Sequence, residues 1–228
     1  MTDTKPTRRR AGDNHRFWLV PTARLWRNWG TTAAEEAVTL PGDELVREPA
    51  ETYTMAVTVL LAAADVWPWL VQIGQDRGGM YRYDRLESIF GVRIHPTGHI
   101  DARWQHLRVG DKVRLVRRHW LDMHEAAVLA VALLEPGRSV VLYQRPPEYP
   151  WNSIWSFHVL PLDWERCRLL SRNRATLPVR PNGLAPEAKW PMSFVSTRNV
   201  LLGIKQRAER SYEEPVSVCS TQIHRRPP

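Results

Sequence analysis

Residues Val66 to Glu87 read VWPWLVQIGQDRGGMYRYDRLE, a stretch dense in residues that packing alone rarely demands together. Trp67 and Trp69 flank Pro68, Gln72 and Gln75 stand three apart, and the Gly78-Gly79 pair breaks the chain. Tyr81, Tyr83 and Asp84 follow and open a second short helical pattern through Leu86, Ile89 and Phe90. Aromatic rings with a few polar groups, held near a flexible backbone, are what lines a pocket for an organic molecule. Just upstream, Thr52 to Leu60 alternates, with Tyr53, Met55, Val57 and Val59 opposite Thr52, Thr54, Ala56 and Thr58, which predicts a half-buried strand. Asp65 is placed to cap a helix carrying Val66 to Ile73, with Pro68 in its first turn. The order is therefore strand, helix, glycine break.

Working outward, Thr32-Ala-Ala-Glu35 is a capping-box pattern that starts a short helix. Val109 to Val113 reads as a turn opening a strand. Ala126 to Leu134 and Ser139 to Arg145 are apolar strands joined by the turn Glu135 to Arg138. Ile154 to Leu162 and Arg168 to Leu177 make a second hairpin around Asp163 to Arg166, and Pro178 to Pro186 is a loop. Trp190 to Tyr212 is a long helix, with Trp190, Phe194, Leu201, Ile204 and Ala208 on one face. A helix of about 20 residues reaches roughly 30 Å, enough to lie across a whole sheet. Consecutive hairpins with a terminal covering helix predict an α+β layer fold, a curved antiparallel sheet wrapped around the C-terminal helix.

The 66–87 stretch is one of several ordered motifs. WGTTAAEE (Trp29 to Glu36), LPGDEL (Leu40 to Leu45), VGDKV (Val109 to Val113), WSF (Trp155 to Phe157), RLLSRNRA (Arg168 to Ala175) and RNVLLGIKQRAE (Arg198 to Glu209) accompany it. Together they resemble the SRPBCC superfamily in its actinobacterial-type branch, over residues 26 to 212. That superfamily groups START lipid-transfer domains, polyketide cyclases and dehydrases, and pollen-allergen-like helix-grip proteins. The resemblance implies a START-like helix-grip fold that binds or transports a hydrophobic small molecule or lipid between sheet and C-terminal helix. The alternative is a polyketide cyclase/dehydrase-like or hydrolytic enzyme acting on a small hydrophobic substrate, with Asp84, Tyr81 or Arg172 moving protons and stabilising an oxyanion. A shared fold by itself warrants little about chemistry.

At 228 residues the chain is long enough for one full core. The expected organisation is a basic N-terminal segment (1–25), a single domain (26–212) and a C-terminal tail (213–228). The formal net charge is +8, yet residues 1–30 hold seven basic side chains against two acidic ones, and Arg225 and Arg226 add to the excess. The domain itself is near neutral. A nucleic-acid module would carry a basic stripe on a folded face, so no nucleic-acid partner is expected. Phe17 to Trp29 mixes aromatics with Arg16, Arg24 and Arg27. It reads as an interfacial anchor giving weak contact with anionic membranes, or, preferred because Pro21 shortens any helix, as a segment packed across the domain. Arg8 to Arg10 are followed by polar residues rather than the apolar run of a signal peptide. The longest apolar run, Ala126 to Leu134, falls well short of the about 20 residues of a membrane span. Cys167 and Cys219 form no metal-spaced or redox pair. A cytoplasmic, at most membrane-peripheral, protein with reduced thiols is expected.

No candidate catalytic group outweighs its structural reading. His95, His99, His119 and His124 lack a spacing with a third ligand, so no metal is expected, and no phosphate-binding loop or other cofactor motif is present. Asp84 and Glu87, one helical turn apart, suit an acid–base pair but more readily a helix cap and a solvated side chain. Gln72 and Gln75 fit either a buried polar ligand group or the Gly78-Gly79 backbone. Arg168, Arg172 and Arg174 share one strand face, read as solvated unless one arginine enters the cavity and pairs with an acidic ligand or with Asp84. The candidate ligand-binding residues are Trp69, Gln72, Gln75, Tyr81, Tyr83, Asp84, Trp155, Phe157 and Arg172.

Overall fold

A computed structural model describes residues 27–75, 77–79, 98–115, 128–145, 152–176 and 190–213, with side chains from 195 to 212 in the last of these. In chain order the elements are α1 (Ala33–Ala37), β1 (Glu51–Val59), α2 (Ala63–Val71), β2 (Lys112–Arg114), β3 (Val128–Glu135), β4 (Ser139–Gln144), β5 (Ser153–Pro161), β6 (Cys167–Ala175) and α3 (Trp190–Glu213). The strands form one curved antiparallel sheet in the order β1-β6-β5-β4-β3-β2. Both hairpins close where the turn residues place them. Gly137 takes φ +76° between β3 and β4, and the main-chain N–H groups of Leu162 and Asp163 donate to Arg166 O between β5 and β6.

Alternation sorts the sheet into two faces. Met55, Val57, Val59, Phe157, Val159 and Leu169 share an inner face with Trp69 and Leu70 of α2 and Val200, Leu201, Ile204 and Ala208 of α3 in one apolar core. The C-terminal half of α3 is moored over the end of β1. Lys205 Nζ donates to Thr58 O (2.9 Å), and the Leu60 N–H donates to Glu209 Oε1 (2.8 Å). The long helix thus grips the inner face as the periodicity predicts. Trp190 and Phe194, placed on that stripe by spacing, have side chains outside the described residues. Among the described residues no helix is long and apolar enough to cross a membrane.

Three local expectations change. β1 is not half-buried: Thr54 and Ala56 on its outer face are as buried as Met55 on its inner face, because residues 28–46 lie across that side. Within that segment, Thr32 and Glu35 make the predicted capping box at the start of α1. Asp65 is not a cap. Helix α2 begins two residues before it, after an extended Ala62, so Asp65 sits in the first turn and Pro68 lies inside the helix. The negative charge still suits the positive end of the helix dipole.

The Trp29-Gly30 pair shows why the segment needs a glycine. Trp29 O accepts from Ala56 N–H (3.0 Å), laying the chain directly against β1. A Cβ on Gly30 would stand 2.2 Å from Ala56 O, and its φ is +74°. Gly137 shares the positive φ but has open space around it. Gly137→Ala should therefore cost only the left-handed backbone penalty, about 1–2 kcal/mol. Gly30→Ala should cost clearly more, because the Ala56 backbone must also move. Urea unfolding of the two variants measures the difference, and equal losses would contradict the close approach.

Candidate ligand-binding site

The inner-face side chains are fully buried along the middle of the sheet and keep slight exposure at one end, at Tyr53, Trp155 and Asn173. Tyr53, Asn173 and Trp155 are lateral neighbours on β1, β6 and β5, and the next row inward is Met55, Ser171 and Phe157. Phe157 and Met55 are fully buried. The Trp155 ring packs on Phe157 with centroids 5.0 Å apart, and its indole N–H donates to Ser171 Oγ (2.8 Å). Asn173 is half-buried, yet its Nδ2 is shut off from solvent and has no hydrogen-bond partner among the described residues. An amide donor buried without an acceptor is costly. This row, an unsatisfied amide with an aromatic residue on the strand to either side, is the candidate ligand-facing region.

Of the residues singled out by sequence, Trp155 and Phe157 lie on this inner face, Phe157 as packed core and Trp155 at its margin. Trp69 is buried on α2 in the same core and also borders an open groove of about 150 Å³ beside Asp65, Ile100 and Tyr212. The Gln72 side chain is committed elsewhere. Its carboxamide oxygen accepts from Asp101 N–H (3.1 Å) and Gln105 Nε2 (3.3 Å), and its Nε2 donates to His99 O (3.3 Å). Gly78 is explained by the same residue, since a Cβ there would fall 2.8 Å from Gln72 O and from Gln72 Cγ. Gln75 is half-buried and its main-chain N–H donates to Arg114 O (2.8 Å) beside β2. Tyr81, Tyr83 and Asp84 lie outside the described residues.

Arg172 is the clear correction. It points away from α3, to the outer face, so it is neither solvated nor in the space between sheet and helix. All five of its guanidinium N–H donors are used. Nε donates to Thr54 Oγ1 (2.9 Å), Nη1 to Val38 O (2.6 Å) and Asp43 Oδ2 (2.8 Å), and Nη2 to Glu35 O (2.8 Å) and Glu36 O (3.1 Å). Its neighbours on the face are engaged as well. Arg168 pairs with Glu35 (2.7 Å), and Arg174 Nη1 stands 3.3 Å from Asp43 Oδ1. The physical reason is that segment 28–46 covers this face. A buried guanidinium needs its charge and every donor answered, and the segment supplies one carboxylate, two carbonyls of α1 and the Val38 carbonyl just beyond it.

Sequence reasoning missed Asn173 and Ser171. The signal was there: once Arg168, Arg172 and Arg174 are assigned one face, alternation puts Leu169, Ser171 and Asn173 on the other, beside Trp155 and Phe157.

No protein-family profile and no curated protein sequence matches the chain. Solved structures similar to it include the Zhui aromatase/cyclase from Streptomyces sp. R1128, at 15% identity and a TM-score of 0.41, covering 72% of this chain and 97% of that one. Norcoclaurine synthase from Thalictrum flavum is similar at 13% identity and a TM-score of 0.40, with 72% and 87% of the two chains covered. Protein MLL2253 from Mesorhizobium loti is similar at 13% identity and 0.40, with 71% and 98% covered. The curved six-stranded antiparallel sheet with its C-terminal helix across the inner face is an α+β fold of the helix-grip kind.

If the outer-face network is structural, Arg172→Met should destabilise by about 3–5 kcal/mol, because it strands the Asp43 carboxylate and several carbonyls in a buried place. Arg168→Met, at a partly exposed pair, should cost less. Denaturant midpoints of the two variants decide; similar values would put the weight of the network elsewhere.

Proposed function

We propose that this protein binds a hydrophobic small molecule or lipid against the inner face of its sheet, at the Tyr53–Asn173–Trp155 row. The observation that carries this reading is the Asn173 amide. Its Nδ2 has no acceptor, and it sits between two aromatic rings on an apolar face. A ligand with an apolar body and one acceptor oxygen, reaching this row, would satisfy the donor and bury against Trp155. Pockets for such molecules need shape, apolar walls and a few placed polar groups, and no acid–base machinery.

Arg172 favours binding over catalysis. An enzyme that used it to stabilise a developing oxyanion would need its donors free and facing substrate. They are instead consumed on the opposite face. The remaining candidates for proton transfer, Tyr81 and Asp84, keep the cyclase/dehydrase-like or hydrolytic alternative open to test. Asp84→Asn would leave a carrier of neutral lipid unchanged and would abolish proton transfer through that carboxylate. Weak contact of the basic residues 1–25 with anionic membranes would suit delivery of such a ligand.

Native mass spectrometry of protein purified from its own host should reveal a co-purifying small molecule. A hydrophobic fluorescent probe should bind the delipidated protein at about one-to-one stoichiometry and compete with it. Asn173→Leu should fold at least as stably as the wild type, since it removes an unpaired buried donor, and should weaken retention of the native ligand. A wild type that carries no small molecule and takes up no probe would refute the reading.

A further inference from the structure

We infer that residues 28–46 form a strap over the outer face of the sheet that protonation of His158 releases. The inference goes beyond ligand binding and rests on the other side of the sheet. His158 is fully buried on β5. In register its neighbours are Ser139 on β4 and Leu170 on β6. The strap covers this spot: Leu40 packs on Leu170 and Ala56, and Val46 on Val141 and Ile154.

The hydrogen bonds fix the state of the ring. Nε2 lies 2.9 Å from Ser156 Oγ and Nδ1 lies 3.1 Å from Ser139 Oγ. Ser156 Oγ already donates its proton to Arg172 O (3.2 Å), so it accepts from His158, and Nε2 carries the hydrogen. Nδ1 is then the acceptor of the Ser139 hydroxyl, and the imidazole is neutral. A second ring proton on Nδ1 would face the Ser139 proton and force that hydroxyl to turn. It would also place a second buried cation near Arg172.

The charged groups around the ring are Arg172 from β6 and Asp43 from the strap, while β4 and β5 present only the Ser139 and Ser156 hydroxyls. Asp43 is the sole counter-ion on the strap side of this cluster among the described residues. It is already shared between Arg172 (2.8 Å) and Arg174 (3.3 Å). Burial, reinforced by Arg172 and only partly opposed by Asp43, holds His158 well below its usual 6.5, at about 4. The closed form therefore binds fewer protons than an open form in which water reaches the ring. Closure is complete above pH 6.5 and is lost as pH falls toward 4. Across that window the open population rises about tenfold per pH unit. Opening costs the Arg172 and Arg168 bonds to the strap and the packing of Leu40 and Val46, while Trp29 at the start of the strap holds to the inner core and to Arg198 of α3.

Hydrogen exchange of the full chain, corrected for the intrinsic pH dependence of exchange, tests this by comparing about pH 7 with about pH 4.5. Protection of the Leu40, Asp43 and Val46 amides should fall about a hundredfold, with β5 and β6 amides still protected, and His158→Gln should flatten the response. Equal loss of protection in strap and sheet, or a His158→Gln variant with the wild-type pH dependence, would overturn the inference. The wild type alone provides a second measurement that needs no variant. By NMR, the His158 ring should stay neutral down to about pH 5 and titrate together with the strap amides. Titration near pH 6.5 with the strap amides unperturbed would equally overturn it.

Discussion

A fully answered guanidinium in the middle of a sheet is the constraint from which most of this architecture follows. Arg172 sits on β6, the strand paired on both sides by β1 and β5. At that position it is either exposed on a bare face or buried with every donor satisfied. Helix α1 makes the second solution available. Its five residues are too few to be stable alone in water, and the carbonyls at its C-terminal end have no partners within the helix. Arg172 collects two of them, Glu35 O and Glu36 O, together with Val38 O just beyond, and Asp43 supplies the counter-charge. The short helix is stable because the sheet caps it, and the sheet can bury an arginine because the helix ends there.

The consequence is a sheet whose two faces carry different chemistry. The outer face joins a polar lattice of Arg172, Asp43, Thr54, Ser156, His158 and Ser139 to two small apolar clusters under a strap. The inner face is apolar where it meets the helices, its polar members beside that core, Ser171 and Asn173, are uncharged, and alternation puts Glu51 on this side only at the outer end of β1. Charge placed on the inner face would have to be desolvated there and would need partners that an apolar cavity lacks. Confining the β6 arginines and Asp43 to the strap side keeps their charge away from the apolar core under the helices. It also removes from that side the one cation that a catalytic reading of the sequence had placed there.

The sequence makes the path of the chain readable, but not which way its faces point. Alternation and turn chemistry locate β1, both hairpins and the long helix, since each signal is local: a capping hydroxyl at Thr32, a glycine at Gly137, a period of two or of 3.6. The side chosen by Arg172 is not local. Alternation groups it with Arg168 and Arg174, but whether that group meets solvent, a cavity or another segment depends on where residues 28–46 go, and that is a tertiary fact. The same limit explains the half-buried pattern of β1, whose threonines look solvated until the strap is laid over them. Pro68 misleads for a related reason. A proline in the first turn is the favoured placement, but the helix begins earlier, at Ala63, after an extended Ala62 that supplies no side-chain cap.

The stretch from Val66 to Gly79 also shows how a dense motif can encode backbone closeness. Gln72 looks like a ligand contact because a buried amide must bond to something. In the fold it bonds to His99 O, Asp101 N–H and Gln105, while its own main-chain O accepts from Gly78 N–H (2.8 Å). Gly74 and Gly79 pair across the same turn, and Arg77 adds bonds to Val71 O and Trp104 O (3.1 and 2.7 Å). The chain positions on either side of residues 80–97, Gly79 and Gly98-His99, are thereby brought to one place beside the end of α2. The glutamine, the arginine and the glycines are each required by that junction whatever the protein binds. A motif of this kind identifies a fold more securely than it identifies a ligand, and the residues that discriminate ligands are better sought on the face opposite the arginines, where Asn173 lies between Tyr53 and Trp155.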